Sequence, residues 1–128
     1  RDQPRSRGLG DVYKRQDWVQ PGTHLSCIGA DISGKQEIDS AVFAAARAFG
    51  DDRAQCFAVG ECEIPHRDGI LTELTEIGAV MLGKAHGRLT SDDVTVFDST
   101  GIALQDLASA AVILERAEAI GVGTVVTL

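Results

Sequence analysis

The stretch on which the fold depends is Ile28-Gly29-Ala30-Asp31-Ile32-Ser33-Gly34-Lys35-Gln36-Glu37. Before it, residues 24–28 are short and apolar enough for a buried strand. After it, residues 37–48 are rich in alanine and have the apolar spacing of a helix. Ser33 followed by Gln36 is typical of a capping box, so we predict a helix that begins just past Ser33. Asp31 therefore lies between a strand and a helix, at the edge where open α/β sheets bind ligands.

Asp31 has two interpretations from this position alone. A carboxylate at a strand end can bind a ligand or take part in acid–base chemistry. An aspartate in a turn can equally serve to accept hydrogen bonds from nearby backbone N–H groups. The spacing of the residues does not choose between them.

A second stretch has the same design. Residues 94–97 alternate like a strand and end in Asp98-Ser99-Thr100-Gly101, and a long helix over residues 102–120 is predicted to follow. Two strand ends with small polar residues, each leading into a helix, could face one crevice.

Composition limits the class of protein. The 128 residues suffice for one modest domain, and 44% hydrophobic with 24% charged residues is typical of a soluble globular protein. No apolar run approaches the ~18 residues that span a bilayer, so we expect a cytoplasmic protein without a membrane partner.

Cys27, Cys56 and Cys62 are odd in number and lack C-x-x-C spacing, which predicts buried free thiols in a reducing compartment. The three histidines are scattered, and we predict no metal site.

Charge divides the chain into two parts. Residues 1–16 hold five basic and two acidic side chains, whereas the rest holds seven basic and seventeen acidic ones. A body this acidic repels phosphate backbones, so we predict no nucleic-acid partner. Residues 6–16 match a translated sequencing adapter. We therefore expect residues 1–16 to be non-native and disordered, and the natural chain to be entered near Asp17 with an N-terminal part missing.

The remaining elements are predicted from periodicity. The helix over 35–48 should bury Ile38, Val42 and Ala45 on one face, and an aspartate should cap a short helix within 53–63. We predict a surface turn at 64–69, a helix over 73–82 with Met81 in the core and Gly83 at its end, and a final strand at 122–128. In the helix over 102–120, an apolar stripe is predicted to pack on another element; it comprises Ala103, Leu107, Ala110, Leu114 and Ala117.

Several short motifs together resemble a known family. They are Gly29-Ala30-Asp31-x-x-Gly34-Lys35-x-Glu37, Gly60-Glu61, Gly87-Arg88, and the run from Val94 to Gly101 followed by Ala103, Gln105 and Asp106. Their order and spacing over residues 17–128 resemble the ornithine cyclodeaminase/μ-crystallin family. Each motif is weak by itself, but four in sequence are specific.

The resemblance implies an NAD(P)-dependent enzyme with two domains that acts on a small amino or imino acid as a homodimer. Residues 17–100 would form the second part of a Rossmann-type NAD(P)-binding domain. Residues 101–128 would return as a helix and strand into the substrate and dimerisation domain. The glycine-rich phosphate loop lies in neither part, so the 128-residue chain by itself is expected to be inactive.

The resemblance also assigns roles residue by residue. Asp31 matches the catalytic aspartate, which contacts the substrate amine. Ile28, Gly29 and Ala30 match the segment that borders the nicotinamide, and Lys35 and Ser99 match other cofactor contacts. Thr100 matches a position that touches substrate.

Three activities remain open at this point. The reference reaction of the family is the conversion of L-ornithine to L-proline and ammonia by internal hydride transfer. Ala30 and Thr100 are closer to the members that are alanine dehydrogenases or cyclic imino acid (ketimine) reductases. A crystallin-like protein that binds NADPH without turnover is the third.

Overall fold

The computed structural model describes residues 16–126, and it shows a mixed α/β fold built on a parallel sheet. Within this range the sheet has four strands in the order β1-β4-β2-β3, where β1 is His24–Cys27, β2 is Arg47–Gly50, β3 is Thr75–Glu76 and β4 is Thr95–Asp98. The helices are α1 (Arg53–Val59), α2 (Glu63–Arg67), α3 (Ile77–Met81) and α4 (Ala103–Ile120), with short 3₁₀ helices at Gln16–Trp18 and Ser40–Ala44. The predicted α/β class is confirmed. The predicted disorder of residues 1–16 concerns residues that lie, except for Gln16, outside the described range.

The register of the sheet aligns the ends of its strands. Cys27 pairs with Asp98 between β1 and β4, and Gly50 pairs with Asp98 between β2 and β4. Glu76 pairs with Gly50 at the end of β3. Because the paired strands are parallel, the segments that follow Cys27, Gly50 and Asp98 leave the sheet side by side. We call this the carboxyl edge of the sheet.

The helix predicted over residues 35–48 is wrong. The chain instead forms the 3₁₀ helix at Ser40–Ala44 and then enters β2 at Arg47. Alanine favours helix in isolation, but Ala48 and Phe49 are each 6% exposed and their backbones pair with β4. Burial between neighbouring strands has therefore outweighed the local helix propensity.

The predicted Ser33 cap of that helix is wrong, whereas its predicted apolar face is confirmed at two of three positions. Ser33 does not cap a helix, and Asp39 caps the 3₁₀ helix by accepting from the Ala41 N–H at 3.0 Å. Ile38 and Val42 are buried as predicted, whereas Ala45 is exposed.

The aspartate cap predicted for the next helix is confirmed. The Asp52 carboxylate accepts from the Gln55 N–H at 2.8 Å at the start of α1. The helix stops at Gly60, and the surface turn predicted at residues 64–69 is wrong in its first half, because Glu63–Arg67 is α2 and Pro65 is buried.

The helix predicted over residues 73–82 is present only over Ile77–Met81. The region contains strand β3 before α3, and the helix is closed by Gly83, whose φ of +69° is a left-handed conformation that glycine adopts readily. Met81 is 82% exposed, so its prediction as a core side chain is wrong.

Helix α4 is present, but none of its side chains is buried. Its apolar surface is wider than the predicted stripe, because Leu104 and Ile113 lie outside that stripe and are 70% and 67% exposed. The final strand is absent over residues 122–126, and Val125 is 98% exposed. A strand needs a neighbouring strand to pair with, and none of the strands in the described part of the chain pairs with this segment.

The core is built from residues of β1, β2 and β4 and of the segments between the strands. The three cysteines are free and buried in it, as predicted, and they pack with apolar side chains that include Ile38, Val42, Phe43, Ala48, Leu71, Leu74 and Val96. Burial raises the pKa of the Cys56 and Cys62 thiols, and the nearby Asp98 carboxylate adds to the rise.

The opposite, amino edge of the sheet is fastened by Arg88. Its guanidinium donates to the carbonyl oxygens of Gly22 at 3.0 Å and Ser91 at 3.2 Å, and to the Thr95 hydroxyl at 3.1 Å. Arg88 is exposed, but it joins the segments that lead into β1 and β4. None of the helices described is both long and apolar enough to cross a membrane.

Candidate functional site

The ends of β1 and β4 are joined directly at the carboxyl edge. The Ser99 N–H donates to the Cys27 carbonyl oxygen at 2.9 Å, immediately before the Ile28–Asp31 segment begins. The Asp51 N–H donates to the Asp98 carbonyl oxygen at 3.2 Å and ties the end of β2 to the same place. The two stretches singled out in the sequence therefore do face one region.

Asp31 and Lys35 lie together on the surface of this edge. Lys35 Nζ is 3.3 Å from Asp31 Oδ1, and the Asp31 side chain is 63% exposed. The residue that matches the family's catalytic aspartate is thus accessible to a ligand, and the residue that matches a cofactor contact is its neighbour.

The segment between β1 and Asp31 alternates between exposed and buried positions. The Ile28 side chain is 73% exposed, whereas Ala30 is 1% exposed. The Gly29 N–H donates to Glu37 Oε2 at 3.0 Å, and a Cβ at position 29 would collide with that carboxylate. Glycine is therefore required there by the close approach of Glu37. The result is an exposed apolar side chain at position 28, next to a glycine against which the Glu37 carboxylate packs.

Asp51 organises the second stretch. Its carboxylate accepts from the N–H groups of Thr100 at 2.8 Å and Gly101 at 3.0 Å. It also accepts from the hydroxyls of Thr100 at 2.9 Å and Ser99 at 3.3 Å. Burial acts to raise the pKa of Asp51, but these hydrogen bonds outweigh it and hold the pKa below its ordinary value. Ser99 and Thr100 are thereby fixed close to the end of β1.

Asp98 is a buried carboxylate at the end of β4, 1% exposed. Its Oδ2 accepts from the Cys62 N–H at 3.0 Å, and its Oδ1 has no partner in the described part of the chain. Burial raises the pKa of Asp98. A Cβ on Gly60 would collide with Oδ2 and lie 2.8 Å from the Thr100 methyl carbon, so the turn between α1 and α2 packs directly on the second stretch.

Glu61 is the second buried carboxylate, with no exposed surface. It accepts from the N–H groups of Glu37 at 2.9 Å and Ile38 at 2.9 Å. Burial raises the pKa of Glu61 to about 7, and the nearby carboxylates of Glu37 and Asp98 add to the rise against these hydrogen bonds. Glu63 follows two residues later and accepts from Ser33 Oγ and the Gly34 N–H, both at 2.7 Å.

The predicted site residues lie in two segments, 28–35 after β1 and 99–100 after β4, which leave the sheet side by side, and the structure adds carboxylates that sequence reasoning did not assign. The added groups are Glu37, Asp51, Glu61, Glu63 and Asp98. Glu37, Glu61 and Asp98 fall inside the quoted motifs, which was the available signal. Asp51 follows the missed strand β2, so its position at the edge was hidden. Among the described residues, no group of three or more histidine, cysteine or acidic side chains could hold a metal ion.

Comparison with known proteins identifies the family. The family model described as ornithine cyclodeaminase/mu-crystallin matches residues 11–121. The chain belongs to this family. It is 43% identical over 106 residues to an iminosuccinate reductase of Paracoccus denitrificans and 38% identical over 113 residues to an alanine dehydrogenase of Archaeoglobus fulgidus. An ornithine cyclodeaminase of Agrobacterium tumefaciens is 33% identical over 91 residues.

These family members are longer proteins. The matches cover 81%, 86% and 71% of this chain but 33%, 35% and 25% of the three relatives, in the same order. The chain thus spans about a third or less of the length of the curated relatives it matches.

Solved structures of family members share the fold. The Paracoccus denitrificans iminosuccinate reductase in complex with NAD⁺ superposes with a TM-score of 0.82 at 37% identity, over 94% of this chain and 38% of that one. An archaeal alanine dehydrogenase dimer with bound NAD gives a TM-score of 0.77 at 37% identity, over 89% of this chain and 37% of that one. These neighbours have a Rossmann-like fold.

Proposed function

We propose that this chain is the nicotinamide-side part of an NAD(P)-dependent enzyme that moves a hydride to or from the α-carbon of a small amino or imino acid. The observation that carries the proposal is the junction of β1 and β4. The Ser99 N–H bond to the Cys27 carbonyl places the segment bearing Asp31 beside the segment bearing Thr100. Family members with 43% and 38% identity are a reductase and a dehydrogenase.

The residues at the carboxyl edge fit a nicotinamide cofactor. Ile28 offers an exposed apolar side chain, and Gly29 next to it has no side chain of its own. An aromatic ring needs a surface of this kind. Ile28, Gly29 and Ala30 would border the nicotinamide, and Lys35 and Ser99 would hold other parts of the cofactor. When bound, the nicotinamide supplies or accepts the hydride at the α-carbon.

Asp31 is assigned the acid–base and orienting role. An exposed carboxylate at a strand end can accept hydrogen bonds from a substrate ammonium and take its proton. In the reductive direction the same group returns that proton to the nitrogen. The Thr100 hydroxyl donates to Asp51 and keeps its oxygen lone pairs available, so it can accept a hydrogen bond from the substrate.

Net reduction of an imino acid, or the reverse oxidation of an amino acid, is the reaction that we favour. The relatives with the higher identities carry out chemistry of this type by name, and Ala30 and Thr100 resemble that branch. Ornithine cyclodeamination is the second candidate, supported by the match to the Agrobacterium tumefaciens enzyme. It uses the same hydride transfer at the α-carbon, but returns the hydride within one turnover. A crystallin-like protein that binds NADPH without turnover is the third.

The test is a substrate comparison with the whole protein. Iminosuccinate and a cyclic imine are each supplied with NADH or NADPH, alanine is supplied with NAD⁺, and ornithine is supplied with trace NAD⁺. A stoichiometric change in nicotinamide absorbance with an imino acid or alanine supports the proposal. Proline formed from ornithine without net NADH would replace it with the cyclodeaminase. Tight NADPH binding with no turnover in any assay would favour the crystallin-like role. The expected homodimer is measured by light scattering on the same sample.

A further inference from the structure

The loop that carries Asp31 and Lys35 is held by hydrogen bonds from the connection between α1 and α2 and from the start of α2. We call residues 29–38 the catalytic loop. Two glutamates, Glu61 in the α1–α2 connection and Glu63 at the start of α2, reach it at two points. Glu63 binds the Ser33 hydroxyl and the Gly34 N–H, and Glu61 binds the N–H groups that follow at 37 and 38.

Glu61 and Glu63 together hold the loop at two points, and we call this pair of glutamates the clamp. Glu63 uses its two oxygens separately, Oε1 for Ser33 and Oε2 for Gly34, each at 2.7 Å, and its side chain is 12% exposed. Charge-assisted hydrogen bonds of this length are among the stronger ones in proteins. Lys35 lies between the two anchor points, and Asp31 lies two residues before the first.

The clamp itself is fixed to the sheet. The Cys62 N–H, which lies between the two glutamates in sequence, donates to Asp98 at the end of β4. On the other side of the loop, the Gly29 N–H donates to Glu37, whose own N–H is held by Glu61. The position of the loop is thus fixed relative to the end of β4 through the Cys62 N–H bond, and relative to the end of β1 through the Gly29 N–H bond.

We propose that Glu61 and Glu63 are positioning residues that set the place of Asp31 and Lys35 relative to the strand ends. The inference rests on the proposed function, because it concerns the same site. Both glutamates would act through the loop groups to which they are hydrogen-bonded. Small displacements of a reacting group can cost large factors in rate, so loss of the clamp should appear in turnover more than in folding.

The test uses Glu63, which is partly buried at the start of α2. The matched control is Glu73, which is exposed in the segment before β3. In the whole protein, Glu63→Ala should lower kcat by about 10-fold or more while the protein, as checked by its melting temperature, stays folded under the assay conditions. Glu63→Gln should restore most of the rate, because its amide oxygen can accept from Gly34 and its NH₂ can donate to Ser33. Glu73→Ala should match the wild type. Adding Ser33→Ala to Glu63→Ala should cost nothing further.

A second measurement separates this inference from the proposed function. Amide hydrogen exchange on the whole protein should show faster exchange at Gly34 in Glu63→Ala than in Glu73→Ala. Equal exchange would overturn the clamp even if the whole protein is an oxidoreductase. Unchanged kcat in a folded Glu63→Ala variant would overturn the positioning role. Should that variant fail to fold, Ser33→Ala takes its place with the same expected direction. A wild type without NAD-linked turnover would refute the proposed function, and the exchange result would still decide the clamp.

Discussion

The Asp51 carboxylate holds Thr100 by two hydrogen bonds at once, from the backbone N–H at 2.8 Å and from the side-chain hydroxyl at 2.9 Å. Asp51 and Thr100 are 49 residues apart, and the contact joins the end of β2 to the segment after β4. The conformation of one half of the candidate site is therefore set by a residue that need not touch any ligand.

Replacing Asp51 by alanine should destabilise the chain by about 1–3 kcal/mol, because several donors in the 99–101 segment lose their acceptor. Urea denaturation measures the change. The control is Asp68→Ala, whose carboxylate makes a surface contact with Arg67 at 3.4 Å, and which should change stability by less than about 1 kcal/mol. Equal effects of the two variants would contradict the anchoring role.

The pH dependence of this anchor has a definite sign. The folded pKa of Asp51 is below its unfolded value, so its contribution to stability is present above the unfolded pKa and is lost as pH falls through the folded pKa. Denaturation series below about pH 4 should show a smaller acid-induced loss in Asp51→Ala than in the wild type.

The contribution of Glu61 to stability should depend on pH in the opposite direction and over a different pH range. Burial raises its pKa from 4.5 to about 7, so the folded state holds a proton that the unfolded state has released. Its contribution is therefore complete below the unfolded pKa and is lost as pH rises to about 7, by an amount on the order of 2–3 kcal/mol. Unfolding free energies at pH 5 and pH 8 measure it.

The comparison for this window is Glu61→Gln, which has no titratable group at position 61. It should lose a large part of the difference between pH 5 and pH 8, and a residual slope of the same sign should remain from Asp98, whose pKa is also raised. A wild type that is more stable at pH 8 than at pH 5 would contradict the prediction.

Gly60→Ala should destabilise the chain by about 1–3 kcal/mol, because the new methyl group would collide with the buried Asp98 carboxylate. The backbone of Gly60 has φ −85° and is not strained for alanine, so the cost would be steric. The matched control is Gly78→Ala in α3, where a Cβ would meet nothing within 4 Å. That variant should be neutral or stabilising by up to about 1 kcal/mol. Thermal melts of the two variants test the contrast.

Asp31→Asn in the whole protein should lower turnover by about 100-fold or more if the carboxylate does general-base work, with cofactor binding little changed. Because the Asp31 side chain is 63% exposed and its ion pair with Lys35 lies on the surface, stability should change by less than about 1 kcal/mol. Steady-state kinetics and cofactor fluorescence titration provide the measurements. Near-normal turnover would return Asp31 to the role of a turn residue.

The parts of the fold that the sequence revealed are those with strong local patterns. Strands β1 and β4, the Asp52 cap and helix α4 all carry their signals within a few residues. Strand β2 was missed because Arg47-Ala48-Phe49-Gly50 follows an alanine-rich run, and only pairing with β4 and β3 makes it a strand. Residues Asp31 and Thr100 could be proposed from motifs. The bonds of Glu61 to residues 37 and 38 could not, because they join positions more than 20 apart that no local period connects.

The fastening of the amino edge by Arg88 has a consequence for protein engineering. The bonds to the Gly22 carbonyl and the Thr95 hydroxyl lie at the opposite end of the strands from the catalytic loop. A library that randomises the exposed positions 28 and 32 and keeps Asp31 would leave this fastening intact. Its members should therefore mostly keep folding while their ligand preferences diverge, and a search for new substrates can sample that surface widely.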